Sequence, residues 1–221
     1  MGVSTQRYAV GGDLPAEPAL LHGLRRGADL VAAAALLLLA APVLLLCAAL
    51  VLIESGRPAF FGHRRLGRDG RPFRCWKLRT MLPGAEELLE RDAGLKSRYV
   101  QNGFKLRSGE DPRVTRVGRW LRRRHLDELP QLINVLGGSM SLVGPRPVVP
   151  AELTEYGPQG ADLLRVKPGI TGAWTSLGRR RPDYPERARL ELDYVRNRGI
   201  RADLTILLRS IPAVLQGAPD P

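Results

Sequence analysis

LVAAAALLLLAAPVLLLCAALVLI, from Leu30 to Ile53, contains no charged side chain and is dominated by Leu, Ala and Val. That is long enough to cross a bilayer as a helix, for which about 20 residues are needed. The run begins only after Asp29, behind a polar tail, and is too long for the apolar region of a cleavable signal peptide. A retained membrane segment is therefore expected, in preference to a helix buried in a soluble core.

The flanking charges constrain how it sits. Arg25 and Arg26 precede the run, and Arg57, Arg64, Arg65 and Arg68 follow it, so by the positive-inside rule both flanks belong on the cytoplasmic side. A straight span puts one basic flank on the wrong side, whereas a helix that bends and returns satisfies both. Pro42 stands near the middle, where it removes a helical hydrogen bond and crowds the preceding turn. A kinked, re-entrant, monotopic anchor is the expectation, with a mildly kinked spanning helix as the alternative.

The 221 residues allow one domain of ordinary size beside the anchor, and 44% hydrophobic residues suffice for its core. Net charge is +12, almost entirely through arginine, with a pI near 10.7. Arginine favours planar, bidentate contact with phosphates or carboxylates, so nucleic acid, anionic lipid and nucleotide-like substrates all fit. Cys47 lies inside the apolar run and Cys75 in an expected strand. Two such cysteines exclude a disulfide framework and zinc spacing, and suit a reducing, cytosolic face. His22, His63 and His125 lack ligand spacing, and neither a Gly-x-x-x-x-Gly-Lys loop nor a Gly-x-Gly-x-x-Gly fingerprint occurs.

Residues 1–22 read as a poorly ordered tail. Ala59 to Leu66 and Arg71 to Arg79 flank Gly67-Arg68-Asp69-Gly70, and the Asp-Gly step predicts a hairpin. Lys77 and Arg79 then share one face, directed at a phosphate or simply at water. Pro83 to Asp92 predicts a short helix. Val114, Val117, Trp120 and Leu121 recur at helical spacing among Arg113, Arg116, Arg119, Arg122, Arg123 and Arg124. That is a basic amphipathic helix, lying at the headgroup level or packed on the domain. Asp203 is the expected N-cap of a final helix with Leu204, Leu207, Leu208 and Ile211 on one face and a kink at Pro212.

The chemistry concentrates in Arg122-Arg-Arg-His-Leu-Asp-Glu-Leu-Pro-Gln-Leu-Ile-Asn-Val-Leu-Gly-Gly-Ser-Met-Ser-Leu-Val-Gly-Pro-Arg-Pro147. Pro130 is tolerable only in the first turn of a helix, which puts Asp127 at a helix N-terminus, where an ionised carboxylate is stabilised. Alone, that is an acidic cap. A carboxylate can attack phosphorus only if the phosphate charge is screened, by a divalent cation, by arginines, or by both. Arg122 and Arg146 supply such cations, and prolines on both sides restrict the Arg146 backbone. Adjacent side chains on a helix diverge by about 100°, so Glu128 orients a metal ion or an arginine instead of sharing the attack. His125 could serve as a base or stand in a solvated turn.

With these stretches in view, the chain resembles the bacterial sugar transferase family of monotopic phosphoglycosyl transferases. The resemblance runs through Phe60-Phe61, Lys77-Leu-Arg-Thr-Met81, Asp111-Pro-Arg113, Leu126-Asp-Glu-Leu-Pro-Gln131, Met140-Ser-Leu-Val-Gly-Pro-Arg-Pro147, Lys167-Pro-Gly-Ile-Thr-Gly172 and Gly178-Arg179. It implies an α/β, mostly helical fold: a re-entrant membrane helix over 23–55, kinked near Pro42, then a cytosolic catalytic domain over 56–221 with a short β-hairpin and interfacial amphipathic helices. It also implies transfer of a sugar 1-phosphate from a UDP-sugar to polyprenyl (undecaprenyl) phosphate at the cytoplasmic face of the bacterial inner membrane. UMP is released, and exopolysaccharide or glycoconjugate synthesis begins.

In that reading Asp127 is the nucleophile that becomes an aspartyl phosphosugar and the ligand of Mg2+, with Glu128 as the second catalytic carboxylate. Arg122, Arg146, Arg179, Lys77 and Arg79 bind phosphate or donor. The implied partners are the UDP-sugar, polyprenyl phosphate and the bilayer; a homodimer is compatible and nucleic acid is not implied. The chain matches the minimal catalytic form, without the multi-span N-terminal region of larger members.

Four positions depart from the family pattern: His63 for glutamine, His125 for serine or threonine, Glu191 for aspartate, and Thr175 for glutamine. Thr175 bears on donor recognition, and it alone suggests a catalytically dead paralogue. The rival of another class is a non-catalytic basic membrane protein that binds anionic lipid or nucleic acid. It leaves the Asp-Glu and Pro-Arg-Pro pairing unexplained.

Overall fold

The computed structural model describes residues 18–101, 106 and 109–217. Most of the expected tail therefore lies outside the described residues, while Ala19 to His22 already form the first turn of helix α1. That helix runs from Ala19 to Ser55 without interruption, 37 residues through Pro42, or about 55 Å at 1.5 Å per residue. It is long and apolar enough to cross a membrane, with a mean hydropathy of 3.1 over its most apolar stretch, and only 22% of that stretch is buried. A core helix would be covered on most sides.

One stripe of α1 packs on the rest of the chain along its length. Ala33, joined by Leu37, meets Cys75, Leu132, Val135 and Met140. Leu44, Cys47, Ala48 and Val51 meet Ala59, Leu78 and Leu121. Both cysteines are free and buried in these seams. Leu38, Leu39, Leu45 and Ile53 point away, each at least 70% exposed.

Both ends of α1 are also fixed by charge. Near its start Arg26 donates to the carbonyls of Val135 (2.6 Å) and Leu136 (2.9 Å), and Asp29 accepts from the Ser141 hydroxyl and the Leu142 N–H. Near its end Glu54 accepts from the N–H groups of Arg116 (2.8 Å) and Val117 (2.9 Å). Val135 and Leu136 close helix α5 (Gln131–Leu136), and Arg116 opens helix α4 (Arg116–Arg123). The side chains of α1 therefore satisfy backbone groups that two other helices leave unpaired.

The hairpin forms as the Asp-Gly step predicts. Strands β1 (Phe60–Leu66) and β2 (Pro72–Leu78) pair antiparallel from Phe60 opposite Leu78 to Leu66 opposite Pro72. Asp69 and Gly70 turn the chain at positive φ, 59° and 70°. Helix α2 (Ala85–Arg91) matches the predicted short helix, and α3 (Ala93–Gln101), which periodicity did not mark, follows it.

The arginine-rich segment is helical only in part. Arg113 and Val114 precede α4: Arg113 is buried in an ion pair with Asp111, and Val114 bridges to Met81. The helix starts at Arg116, where the Thr115 hydroxyl accepts from the Gly118 N–H. Gly118 is required there, because a Cβ would stand 2.1 Å from the Thr80 carbonyl oxygen.

A second sheet, not apparent from alternation, pairs β3 (Ser141–Val143) in parallel with β4 (Gly169–Thr171). It brings the Gly-Pro-Arg-Pro and Lys-Pro-Gly-Ile-Thr-Gly stretches together at backbone contact. A Cβ on Gly169 would lie 2.1 Å from the Gly144 nitrogen, and one on Gly172 would lie 2.1 Å from the Gly144 oxygen. Only glycines allow this crossing.

After helix α6 (Gly160–Leu163), the largest core forms beneath this sheet, joining Val143, Val148 and Tyr156 to Leu192 and Val195 of helix α7 (Glu186–Arg196) and Ile206 of helix α8 (Ile200–Leu215). Asp203 does not cap α8, which begins three residues earlier. Its carboxylate accepts from the Tyr194 hydroxyl at 2.7 Å and pairs with Arg25 at 3.3 Å. Leu204, Leu208 and Ile211 remain more than half exposed.

Candidate active site

Asp127 sits in a 3₁₀ turn, Leu126–Glu128, between α4 and α5. His125 enters it at a left-handed φ of 56°, a conformation that costs a non-glycine residue about 1 kcal/mol or more. Pro130 directly precedes α5, as its missing N–H requires. Asp127 is thus set one turn ahead of a six-residue helix, too short for its dipole to dominate. Burial pushes the Asp127 carboxyl above its ordinary value and the neighbouring Glu128 adds to this, against the pull of Lys77 and Arg122. The expectation of a helix-stabilised anion gives way to a buried carboxylate whose ionised form is held at some cost.

Glu128 behaves in the opposite way. Burial alone would raise it, but the Lys77 ammonium at 2.6 Å and the Arg146 guanidinium at 4.0 Å outweigh that and hold it at about 2. Both cations meet Oε1. Of the two alternatives for its neighbour, the contacts join Glu128 to the Pro-Arg-Pro arginine and to the hairpin lysine. Burial keeps His125 below its usual range, so it is neutral at pH 7.

The remaining predicted residues separate. Arg122 donates to the Thr80 hydroxyl at 2.9 Å and lies near Asp127. Arg79 turns elsewhere: its guanidinium donates to the carbonyls of Ser55, Gly56 and Arg57, closing the end of α1. Arg179 is exposed and donates to the Gln216 carbonyl beyond α8. Neither joins the group around Glu128.

That group lines a shallow surface cleft, with Arg65, Lys77, Glu128, Gln131, Arg146 and Thr175 on its walls. Arg65 pairs with Glu152 at 2.9 Å and donates to the Pro147 carbonyl. In the sequence it stands out only as one flanking charge among several. Thr175, the departure in donor recognition, accepts from the Gly172 N–H at 2.6 Å.

Glu191, another of the departures, is fully buried. It accepts from the Arg146 N–H at 3.0 Å and from the Tyr156 hydroxyl, and pairs with Arg187 at 3.6 Å. Arg146 is therefore held by Glu191 as well as by its prolines. Sequence reasoning misses this support because it spans β3 to α7; the helical spacing of Arg187 and Glu191 was the only available sign.

Two carboxylates are present for a divalent cation, and among the described residues there is no group of three His, Cys, Asp or Glu side chains able to hold one. Mg2+ is commonly bound by one or two carboxylates and completed by water and substrate phosphates. Glu128 has Oε2 to offer, since its cationic partners both take Oε1.

The model of the family described as bacterial sugar transferase matches residues 21–217. The exopolysaccharide production protein ExoY of Rhizobium meliloti is 44% identical over 191 residues, covering 86% of this chain and 84% of ExoY. The UDP-glucose:undecaprenyl-phosphate glucose-1-phosphate transferase of Caulobacter vibrioides is 40% identical, covering 97% and 78%. The UDP-galactose-lipid carrier transferase of Erwinia amylovora is 41% identical over 87% of this chain but only 40% of its own length. The chain belongs to the bacterial sugar transferase family.

Proposed function

We propose that this protein is a phosphoglycosyl transferase that moves a sugar 1-phosphate from a UDP-sugar to undecaprenyl phosphate, releasing UMP, as the first step of exopolysaccharide or glycoconjugate assembly. The observation that carries the reading is the buried Asp127 beside a Glu128 already neutralised by Lys77 and Arg146, in a family whose named relatives perform this transfer. With Glu128 committed to cations, Asp127 is the carboxylate with electrons to give.

In the first step an Asp127 oxygen attacks the β-phosphorus. The bond from that phosphorus to the bridging oxygen breaks, and UMP leaves with the electron pair. In the second, a phosphate oxygen of undecaprenyl phosphate attacks the same phosphorus and the carboxylate is regenerated. Lys77 and Arg146 orient Glu128, and Arg122 screens the attacked phosphate on the Asp127 side. Mg2+, held by Asp127 and Glu128, would supply further charge neutralisation at the diphosphate.

A re-entrant anchor is supported by the fact that both charged ends of α1, at Arg26 and Glu54, hold the same domain. The positive-inside rule places that domain on the cytoplasmic face. Trp120 on α4 and the exposed side of α8 suit the headgroup level, where a lipid phosphate and a soluble nucleotide can meet. A non-catalytic lipid or nucleic-acid binder gives no reason for burying Asp127 beside a Glu128 paired with two cations.

The test is UMP release by purified protein with Mg2+, a panel of UDP-sugars and undecaprenyl phosphate, together with intact mass after donor alone. Release with one sugar, a phosphosugar mass adduct and the loss of both in Asp127→Asn are expected. Full turnover in Asp127→Asn overturns the mechanism.

A further inference from the structure

Three guanidinium groups gather on one indole. Trp174 is buried, and its ring N–H is tied to the Pro182 carbonyl at 2.6 Å. Arg187 lies 4.4 Å from the ring centre, Arg181 4.9 Å and Arg146 5.8 Å. Two of these cations have carboxylate partners. Arg187 is fully buried, pairs with Glu191 and also covers the Tyr184 ring. Arg146 reaches Glu128 and, through its N–H, Glu191.

Among the described residues Arg181 has none. There its hydrogen bond runs from Nε to the Gly178 carbonyl at 2.8 Å, which fixes the plane of the guanidinium and leaves its outer N–H groups to another acceptor. It ends the 3₁₀ segment Thr175–Arg180, which bends at Gly178 (φ 58°). Thr175 at the other end of that segment is in the cleft wall beside Glu128 and Arg146. Arg181 is half-buried, and burial together with Arg146 and Arg187 pushes its pKa down while Glu128 pulls it up. Lys77, Arg146 and Arg187 thus pair with Glu128 and Glu191, while Arg181 stands beside Arg146 and Arg187 on the Trp174 ring without joining either carboxylate. A half-buried surplus of positive charge is stabilised by an anion.

We propose that Arg181 is a donor-binding residue of this chain and that, with Arg146, it takes the nucleotide-side phosphate of the diphosphate. This rests on the reaction proposed above. Asp127 and Arg122 face the phosphate that is attacked, and the Trp174 arginines receive the one that leaves. As the bridging bond breaks, negative charge grows on the departing nucleoside monophosphate. A fork fixed at Nε is preorganised for that charge. Arg179, which the family resemblance nominates for this contact, is bonded to Gln216 instead.

The experiment uses the full-length protein in detergent or nanodiscs, with UDP and UMP as binding probes in Mg2+ and UMP release as the kinetic readout. For Arg181→Ala the expected result is UDP and UMP binding weaker by roughly ten-fold or more, with KM for the donor raised similarly. KM for undecaprenyl phosphate and the thermal midpoint stay unchanged. Arg181→Lys should recover part of the affinity.

Wild-type UDP affinity and donor KM in Arg181→Ala, in a protein whose Asp127→Asn variant is dead, overturns the role of Arg181 and leaves the reaction standing. A fall in thermal midpoint in both Arg181 variants, with affinity unrecovered by lysine, also overturns it, as a structural role. A wild-type protein that neither binds UDP nor releases UMP overturns the reaction and this inference together.

Discussion

The Lys77 ammonium lies 2.6 Å from Glu128 Oε1, so a strand of the hairpin and the turn after α4 are joined by an ion pair beside Asp127. Glu128→Gln removes the negative charge and frees Lys77 to pair with Asp127. We expect kcat for UMP release to fall by about 10²-fold or more, with a thermal midpoint close to that of the wild type. Lys77→Met should cause a comparable loss, because it leaves Glu128 without its nearest cation. Parallel rate assays and thermal melts check both.

Asp127→Asn should be inactive yet more stable. Burial raises the Asp127 pKa above its unfolded value of 3.8, so the folded state favours the protonated form and loses stability as pH rises through the folded pKa. At neutral pH the ionised carboxylate destabilises the fold, and the neutral amide does not. A gain of about 1 kcal/mol is expected, read by denaturant or thermal melting in EDTA at pH 7. Below the unfolded pKa the gain should vanish.

Asp111 carries the opposite sign. Burial would raise it, but the bidentate contacts from Arg113 at 2.8 and 2.9 Å hold it below its ordinary value. Its contribution is complete above pH 3.8 and disappears as pH falls through the folded pKa. Asp111→Asn leaves a buried Arg113 uncompensated, with an expected loss of about 3–5 kcal/mol at neutral pH. Melting across pH 3 to 7 should show the difference between the two proteins shrinking at the acid end.

Arg79→Ala should act on stability before it acts on substrate. Its guanidinium closes the carbonyl end of α1, and charge-assisted hydrogen bonds of this kind contribute about 1.5–3 kcal/mol each. We expect a midpoint lowered by several degrees, and unchanged donor KM in the protein that remains folded. A raised donor KM with an unchanged midpoint would assign Arg79 to phosphate instead.

Gly169→Ala is expected to lose about 3 kcal/mol or more, because its Cβ would fall 2.1 Å from the Gly144 nitrogen and backbone cannot step aside as a side chain can. Limited proteolysis should detect the opening of the β3–β4 crossing, and activity should fall with it, since Arg146 directly follows Pro145 in that crossing.

The sequence carries the local features of this molecule well. An uncharged run predicts α1 and an Asp-Gly step predicts the hairpin, while the helix expected from Glu128 starts at Gln131, after a separate 3₁₀ turn. It also links Asp127 to Glu128 and Arg146, because one short stretch contains all three. What escapes is set by contacts distant along the chain. Nothing near Arg79 indicates that the end of α1 will claim it, and nothing near Arg146 indicates that Glu191 will hold its backbone. The β3–β4 pair is too short to alternate, and α8 starts before Asp203 because that carboxylate is drawn to Tyr194 and Arg25. The direction of the Asp127 shift escapes as well, since burial is a property of the packed molecule.

The Arg26 and Glu54 contacts make the lipid-facing helix a structural component of the enzyme and not a detachable tether. Deleting it would uncover the carbonyl end of α5 and the amide end of α4, which flank the Asp127 turn on either side, and would expose Cys75, Leu121 and Val135 to water. A soluble truncation should therefore fail to fold, and detergents that strip lipid from α1 should inactivate the protein even when the nucleotide never touches the bilayer. The long apolar helix and the Asp127 turn thus belong to one folding unit.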